Sequence, residues 1–144
     1  MQTINKIQPK GRLALNIYKD GVLAESWEDR NLIVLGGRNA VASLIGAATS
    51  GKAVDRYAVG TNGSDTVLSD TVITDEFAKA VAGVTYPSGG VQFSFTLELA
   101  ENNGVTIREF GLLCVDDTLF ARIVRAPIIK DNTIRIEGTW TLTF

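Results

Sequence analysis

Two segments of the chain alternate apolar and polar residues without a break. In "VQFSFTLEL", Val91, Phe93, Phe95, Leu97 and Leu99 share one side against Gln92, Ser94, Thr96 and Glu98. The end of the chain does the same, with Ile134, Ile136, Gly138, Trp140, Leu142 and Phe144 opposing Arg135, Glu137, Thr139, Thr141 and Thr143. A period of two marks a strand with one buried face and one wet face. "RLALNIY" (Arg12 to Tyr18) repeats the pattern through Leu13, Leu15 and Ile17, and "KDG" then leads into "VLAESW". Asp-Gly supplies the positive φ of a tight hairpin, so the domain opens on an antiparallel pair.

"NLIVL" (Asn31 to Leu35) predicts a third strand. After Gly36-Gly37 the apolar positions become Val41, Leu44, Ile45 and Ala48, a helical spacing that predicts one short amphipathic helix from about Gly37 to Ala48. Gly51 in "TSGK" is placed to cap it, and "DRYAVG" reads as a short strand before the loop "TNGSD". From Thr66 to Thr74 the apolar residues are too sparse to predict an element. With turn signals at "ENNG", "DD" and "KDN", the count is about eight strands. The expected fold class is mainly β: an antiparallel β-sandwich with one short α-helix packed against it or over one open end.

At 144 residues, 45% of them apolar, the chain is expected to form a single domain over 1–144 with one core. Residues 1–11, rich in Gln, Asn and Lys and containing Pro9, read as an extended N-terminal arm. A net charge of −2 carries no basic excess of the kind that neutralises phosphates, so no nucleic-acid partner is expected. No apolar run has the length of a signal peptide core or a bilayer span; the expectation is a soluble intracellular product without membrane insertion. The single cysteine, Cys114, lies in the apolar run "GLLCV" and reads as a buried structural thiol.

The chemical inventory is thin. Histidine is absent, which removes Ser-His and Cys-His nucleophiles, the commonest general base and the commonest zinc ligand. No D-x-D-x-D-G loop offers calcium its ligands, so neither metal nor cofactor is expected. "TSGKA" fails as a phosphate loop because Lys52 is followed by Ala53, and "NGS" at Asn62 to Ser64 reads as turn chemistry. Glu98 falls on a wet strand face, and Asp116-Asp117 suits a two-residue hairpin turn. The chain is not expected to be an enzyme.

One stretch resists simple patterning. In "NNGVTIREFGLLCVDDTLFARIV", alternation from Val105 and Ile107 sends Glu109 inward, yet Phe110 beside it demands burial too. Two resolutions are physical: a β-bulge near Gly111 that shifts the parity, or a strand covered on both faces with Glu109 held by an arginine. Arg108, on the opposite face, is then a surface residue or an anchor for another subunit.

The order of the pieces carries a resemblance. An "AVG" strand end is followed by a Gly-containing loop and an Asp/Thr-rich segment (Ala58 to Asp70), and an "IREFGL" strand leads through acidic turn residues into "LFAR" (Ile107 to Arg122). This resembles the amino-terminal attachment domain of tail-collar fibre and tail-fibre proteins of tailed bacteriophages. The hairpin ahead of the helix, and the lack of a shaft and receptor-binding tip before Phe144, depart from that pattern. The resemblance implies a structural virion component, a baseplate, collar or fibre-adaptor subunit. Such a subunit is made in the bacterial host cytoplasm and built into the tail as a homo-oligomer, against baseplate, tail-tube or fibre proteins. Arg108, Glu109, Phe110, Arg122 and Trp27 are the candidate structural or interface residues. The alternatives are a head or neck decoration protein, or a receptor- or carbohydrate-binding module using Trp27, Tyr57, Tyr86 or Trp140, of which Trp140 sits in core register.

Overall fold

The computed structural model describes residues 9–48 and 50–144. Nine strands and one helix follow in the order β1 (Lys10–Lys19), β2 (Val22–Ile33), α1 (Leu35–Gly46), β3 (Val54–Gly60), β4 (Phe77–Ala80), β5 (Gly83–Thr85), β6 (Gly90–Leu97), β7 (Val105–Cys114), β8 (Leu119–Lys130) and β9 (Ile134–Thr143). All pair antiparallel in one continuous sheet, β4-β3-β7-β8-β2-β1-β9-β6-β5.

The sheet curls because β2 joins two halves by a corner. Along most of its length β2 pairs with β1, and only Leu32 and Ile33 meet Arg122 and Ala121 of β8. The halves therefore face each other across one core, in which Leu13, Leu15, Phe93, Phe95, Ile136 and Trp140 meet Tyr57, Val59, Ile107, Phe110, Leu112 and Phe120. Tyr57 stacks on Phe95 at 4.2 Å between ring centroids, and its hydroxyl donates to the Thr96 carbonyl at 2.9 Å. Trp140 is fully buried and donates from Nε1 to Asn31 Oδ1 at 2.8 Å, which satisfies its one polar atom.

A mainly β chain with one helix is what the alternation predicts. The arrangement differs from a sandwich of eight strands: nine strands form a single half-barrel, since the two-residue β2–β8 pairing keeps the hydrogen-bond ladder continuous. The additional short strands β4 and β5 come from "FAKAVAGVT", which has no clean alternation. They are also the two edges of the sheet. The chain crosses from one edge to the other at Val81 and Ala82, whose amides reach the carbonyls of Asp55 and Ser94. Both edge strands thus belong to one short segment, and at four and three residues each they offer little ladder for stray pairing.

Several boundaries shift for local reasons. The opening hairpin turns at Asp20 and Gly21, both with positive φ. Asn31 to Ile33 finish β2 instead of forming a third strand: Asn31 still pairs with Gly11 of β1, Leu32 and Ile33 pass on to β8, and no turn residue intervenes. The helix begins at Leu35, two residues before Gly37, and packs on β8. A Cβ on Gly37 would collide with the Phe120 carbonyl and lie 2.9 Å from Ile33 Cγ2, so glycine is what permits this approach. Ala47, at φ 51°, ends the helix in the role expected of Gly51. Lys10 and Gly11 pair with Thr143 and Leu142 as part of β1, so the expected arm does not extend to residue 11; residues 1–8 lie outside the described residues. Leu99 and Phe144 are exposed because the alternation runs past the ends of β6 and β9. Among the described residues, no helix is long and apolar enough to cross a membrane.

Candidate functional site

The parity conflict at Glu109 is resolved in both expected ways at once. The β7–β8 register shifts between Ile107 and Glu109, where Arg108 alone stands opposite Arg125, Ala126 and Pro127, so the surplus residues of the bulge lie on β8. Ile107 before the bulge and Phe110, Leu112 and Cys114 after it all face the main core. Glu109, Gly111 and Leu113 face the other side, where Leu113 packs with Val34, Ala58, Ile73 and Leu119 in a second, smaller core. Strand β7 is covered on both faces, and that second cover is the loop 61–76.

Glu109 is fully buried, and Arg122, on β8, is its partner. Arg122 Nε and Nη2 reach Glu109 Oε2 at 2.8 and 2.7 Å, while Nη1 pairs with Asp70 Oδ2 at 3.0 Å. Nη2 also donates to the carbonyls of Asn62 and Ser64 at 2.9 and 3.0 Å. The second carboxylate oxygen of Glu109 accepts the Thr74 amide at 2.6 Å. Every charge that burial would strand is thereby engaged. The cluster fastens an irregular loop to the sheet at Asn62, Ser64, Asp70 and Thr74. The loop crowds back on it: a Cβ on Gly60 would lie 2.5 Å from both Ile73 Cγ2 and the Thr74 carbonyl, and would collide with Glu109 Oε1. With Glu109 and Arg122 sealed from solvent, the arrangement holds loop backbone against the sheet.

The other candidates take separate places. Phe110 is in the main core, 6.4 Å from Phe95. Arg108 is half-buried, with its aliphatic stem against Gly63. Trp27, on β2, is half-buried and lies under Arg125, whose guanidinium carbon sits 5.1 Å from the ring centroid while Nη2 pairs with Glu25 at 3.1 Å. The structure brings Glu109 and Arg122 together and leaves Trp27 apart from them.

Sequence reasoning missed two features. Asp70 and the carbonyls of Asn62 and Ser64 belong to a segment too poor in apolar residues to read; the only signal was a loop carrying Asp65, Asp70, Asp75 and Glu76 with no lysine or arginine. Lys130 is a second buried cation on β8, and its ammonium donates to the carbonyls of Leu99 and Asp131 and to Asn103 Oδ1 at 3.2, 3.0 and 2.8 Å. Burial pulls its pKa down, opposed by Asp131 and Glu101. It clasps the β6–β7 loop much as Arg122 clasps the β3–β4 loop.

One surface cleft is apolar. Beneath the C-terminal half of α1 lies a cleft of ≈ 520 Å³, bounded by Leu44, Ile45, Val84, Tyr86, Phe93 and Phe144. Ile45 is 82% exposed and Tyr86 79%. The one charged side chain in its lining is Lys52, which is held by Asp116 at 2.7 Å and donates to Thr118. The hydrogen bond from Lys52 holds the Asp116 carboxyl down at about 2. Asp116 and Asp117 sit in a turn of three residues, Val115 to Asp117, closed by Cys114 and Thr118, because Asp117 takes φ 70° and adds one residue to the expected two. Cys114 is buried, and desolvation pushes its thiol up to about 11. Among the described residues no group of three or more Cys, Asp or Glu is placed to hold a metal ion. Compared with family models, curated proteins and solved structures, the chain matches none.

Proposed function

We propose that this chain is a structural component of a phage tail or a tail-like particle, a baseplate, collar or fibre-adaptor subunit that assembles by protein–protein contact. The observation that carries the reading is the fate of the "IREFGL…LFAR" segment. Its two most conspicuous charges, Glu109 and Arg122, are spent on each other and on a loop backbone, as suits a scaffold. The accessible surface includes an apolar cleft, as suits docking. The glycan-binding alternative loses two of its four aromatics, since Tyr57 and Trp140 are fully buried. Mass spectrometry of purified particles, followed by a cryo-EM map, tests the proposal. The chain is expected among the tail proteins at the fibre or baseplate. Its absence from mature particles, or its location on the head or neck, would overturn the tail assignment.

A further inference from the structure

We infer that the outer face of the sheet, where β1 lies between β2 and β9, carries a binding site for a phosphate group. The site stands on its own geometry and does not depend on the assembly role proposed above.

A concavity of ≈ 270 Å³ on that face is lined by Lys10, Gly11 and Arg12 of β1, Arg30 of β2, and Thr141 and Thr143 of β9. Three cations and no acid border it. The ladder fixes their proximity: Arg12 stands directly opposite Arg30 on one side and Thr141 on the other, and Lys10 stands opposite Thr143. Lys10 and Arg12, two positions apart on one strand, share a face. Core packing does not call for this grouping, since Leu13, Leu15 and Ile17 occupy the other face of β1. Like charges directly opposite each other on an antiparallel pair are destabilising. The sheet therefore carries a repulsion that a bound anion would relieve.

The chain's own acids do not cancel it. Glu28 reaches Arg12 at 3.3 Å, but both side chains are more than half exposed, and such a contact is weak. Asp29 and Glu25 stand opposite Leu13 and Ile17, on the other side of β2, and Glu25 is already held by Arg125. Lys10 and Arg30 have no ion pair among the described residues. Residues 1–8, just ahead of Lys10, contain no Asp or Glu.

The surplus selects the ligand. Three cations less the one carboxylate of Glu28 leave two positive charges. A carboxylate would answer one of them, whereas a phosphate group carries about two negative charges near neutral pH and answers both. Arginine forks match phosphate oxygens, and the threonines add neutral donors. Thr141 Oγ1 accepts from Gln92 Nε2 at 2.9 Å, which leaves its own proton free to donate. A nucleic-acid backbone is a poor fit, because it needs a run of such positions and the same face continues into Glu28 and Glu137.

Calorimetric titration of the full chain with sodium phosphate, against sodium chloride at equal ionic strength, tests the site. One phosphate is expected to bind per chain. At tenfold over its Kd it should raise the melting temperature by about 3–6 °C beyond the chloride control. Arg30→Gln should weaken binding about tenfold or more and remove the thermal shift, while melting in chloride no lower than the parent because a repulsion has gone. Phosphate also stabilises proteins by exclusion from their surface, but that effect would act on parent and variant alike. Lys19→Gln removes a cation of β1 outside the concavity and should leave binding unchanged. Glycerol phosphate as a second titrant separates the sources of the group: tighter binding than inorganic phosphate assigns the site to an ester, equal or weaker binding to the free ion. Equal melts in phosphate and chloride, an Arg30→Gln chain that binds phosphate as the parent does, or an equal loss in Lys19→Gln would overturn the site.

Discussion

Replacing Glu109 by glutamine isolates the charge of the buried cluster from its shape. The glutamine keeps an oxygen for the Thr74 amide but turns its own amide toward the Arg122 guanidinium, so donor faces donor where a 2.7 Å ion pair stood. Removing one partner of a buried pair costs about 3–5 kcal/mol, because the remaining charge is left uncompensated. Asp70 stays 3.0 Å from Nη1, but its side chain is 23% exposed and compensates only in part. The lower end, about 3 kcal/mol, is therefore expected. With a urea slope of about 2 kcal/mol per molar, the unfolding midpoint should fall by about 1.5 M. Emission from buried Trp140 reports that transition. The loop should loosen first: the Thr61 amide, bonded to the Thr74 carbonyl at 3.1 Å, and the Thr74 amide should lose hydrogen-exchange protection before the sheet does. Pairing Glu109→Gln with Arg122→Gln should cost clearly less than the sum of the two single changes, since neither charge is then stranded. An unchanged midpoint, or strictly additive losses, would refute the account of Glu109 and Arg122 as one fastener.

Two further outcomes follow from neighbouring contacts. Gly60→Ala forces a methyl against Ile73, the Thr74 carbonyl and Glu109, and should cost about 1–3 kcal/mol by overpacking, read as a lower melting temperature; an unchanged melt would show that the loop is not pressed against the cluster. Cys114, with its thiol raised from 9.0 to about 11 by burial, should be alkylated in the native chain only at the rate of global unfolding. Since the folded pKa is the higher one, its contribution to stability is complete below pH 9 and fades as pH climbs toward 11. Alkylation at the speed of a free thiol near neutral pH would contradict this burial.

The strands with one wet face were legible because their side chains obey a period of two: β1, β6 and β9 follow directly from Leu13 to Ile17, Val91 to Leu97 and Ile134 to Leu142. Strand β7 was legible only as a contradiction. The bulge of β8 opposite Arg108 and the second cover of β7 both lie with residues far along the chain, and adjacent buried positions at Glu109 and Phe110 announced that something must cover the strand without saying what. Arg122 could be singled out by its place in "LFAR", but its partners Asn62 and Ser64, like the Thr74 that meets Glu109, contribute backbone atoms, which leave no mark in side-chain patterning. Strands β4 and β5 were hidden for a related reason. They are held by the ladder at two sheet edges, and "FAKAVAGVT" needs no alternation to accept it.

Buried cations on one strand do here what regular structure does elsewhere. A loop without helix or ladder exposes carbonyls that must be matched once they are covered, and water cannot follow them beneath a packed segment. Arg122 presents a fork of donors and takes two loop carbonyls together with two carboxylates; Lys130, with three donors, takes two carbonyls and an amide oxygen. Apolar replacements would pack as well at Glu109 and Arg122, and buried ion pairs are seldom the most stabilising choice at a given position. What leucine or methionine cannot supply is direction. The carbonyls of Asn62 and Ser64 have to arrive within 3.0 Å of one guanidinium nitrogen, which restricts the path of the loop between β3 and β4. Charge therefore stands at the centre of a fold that otherwise runs on packing, at the place where an irregular loop has to be held in one position.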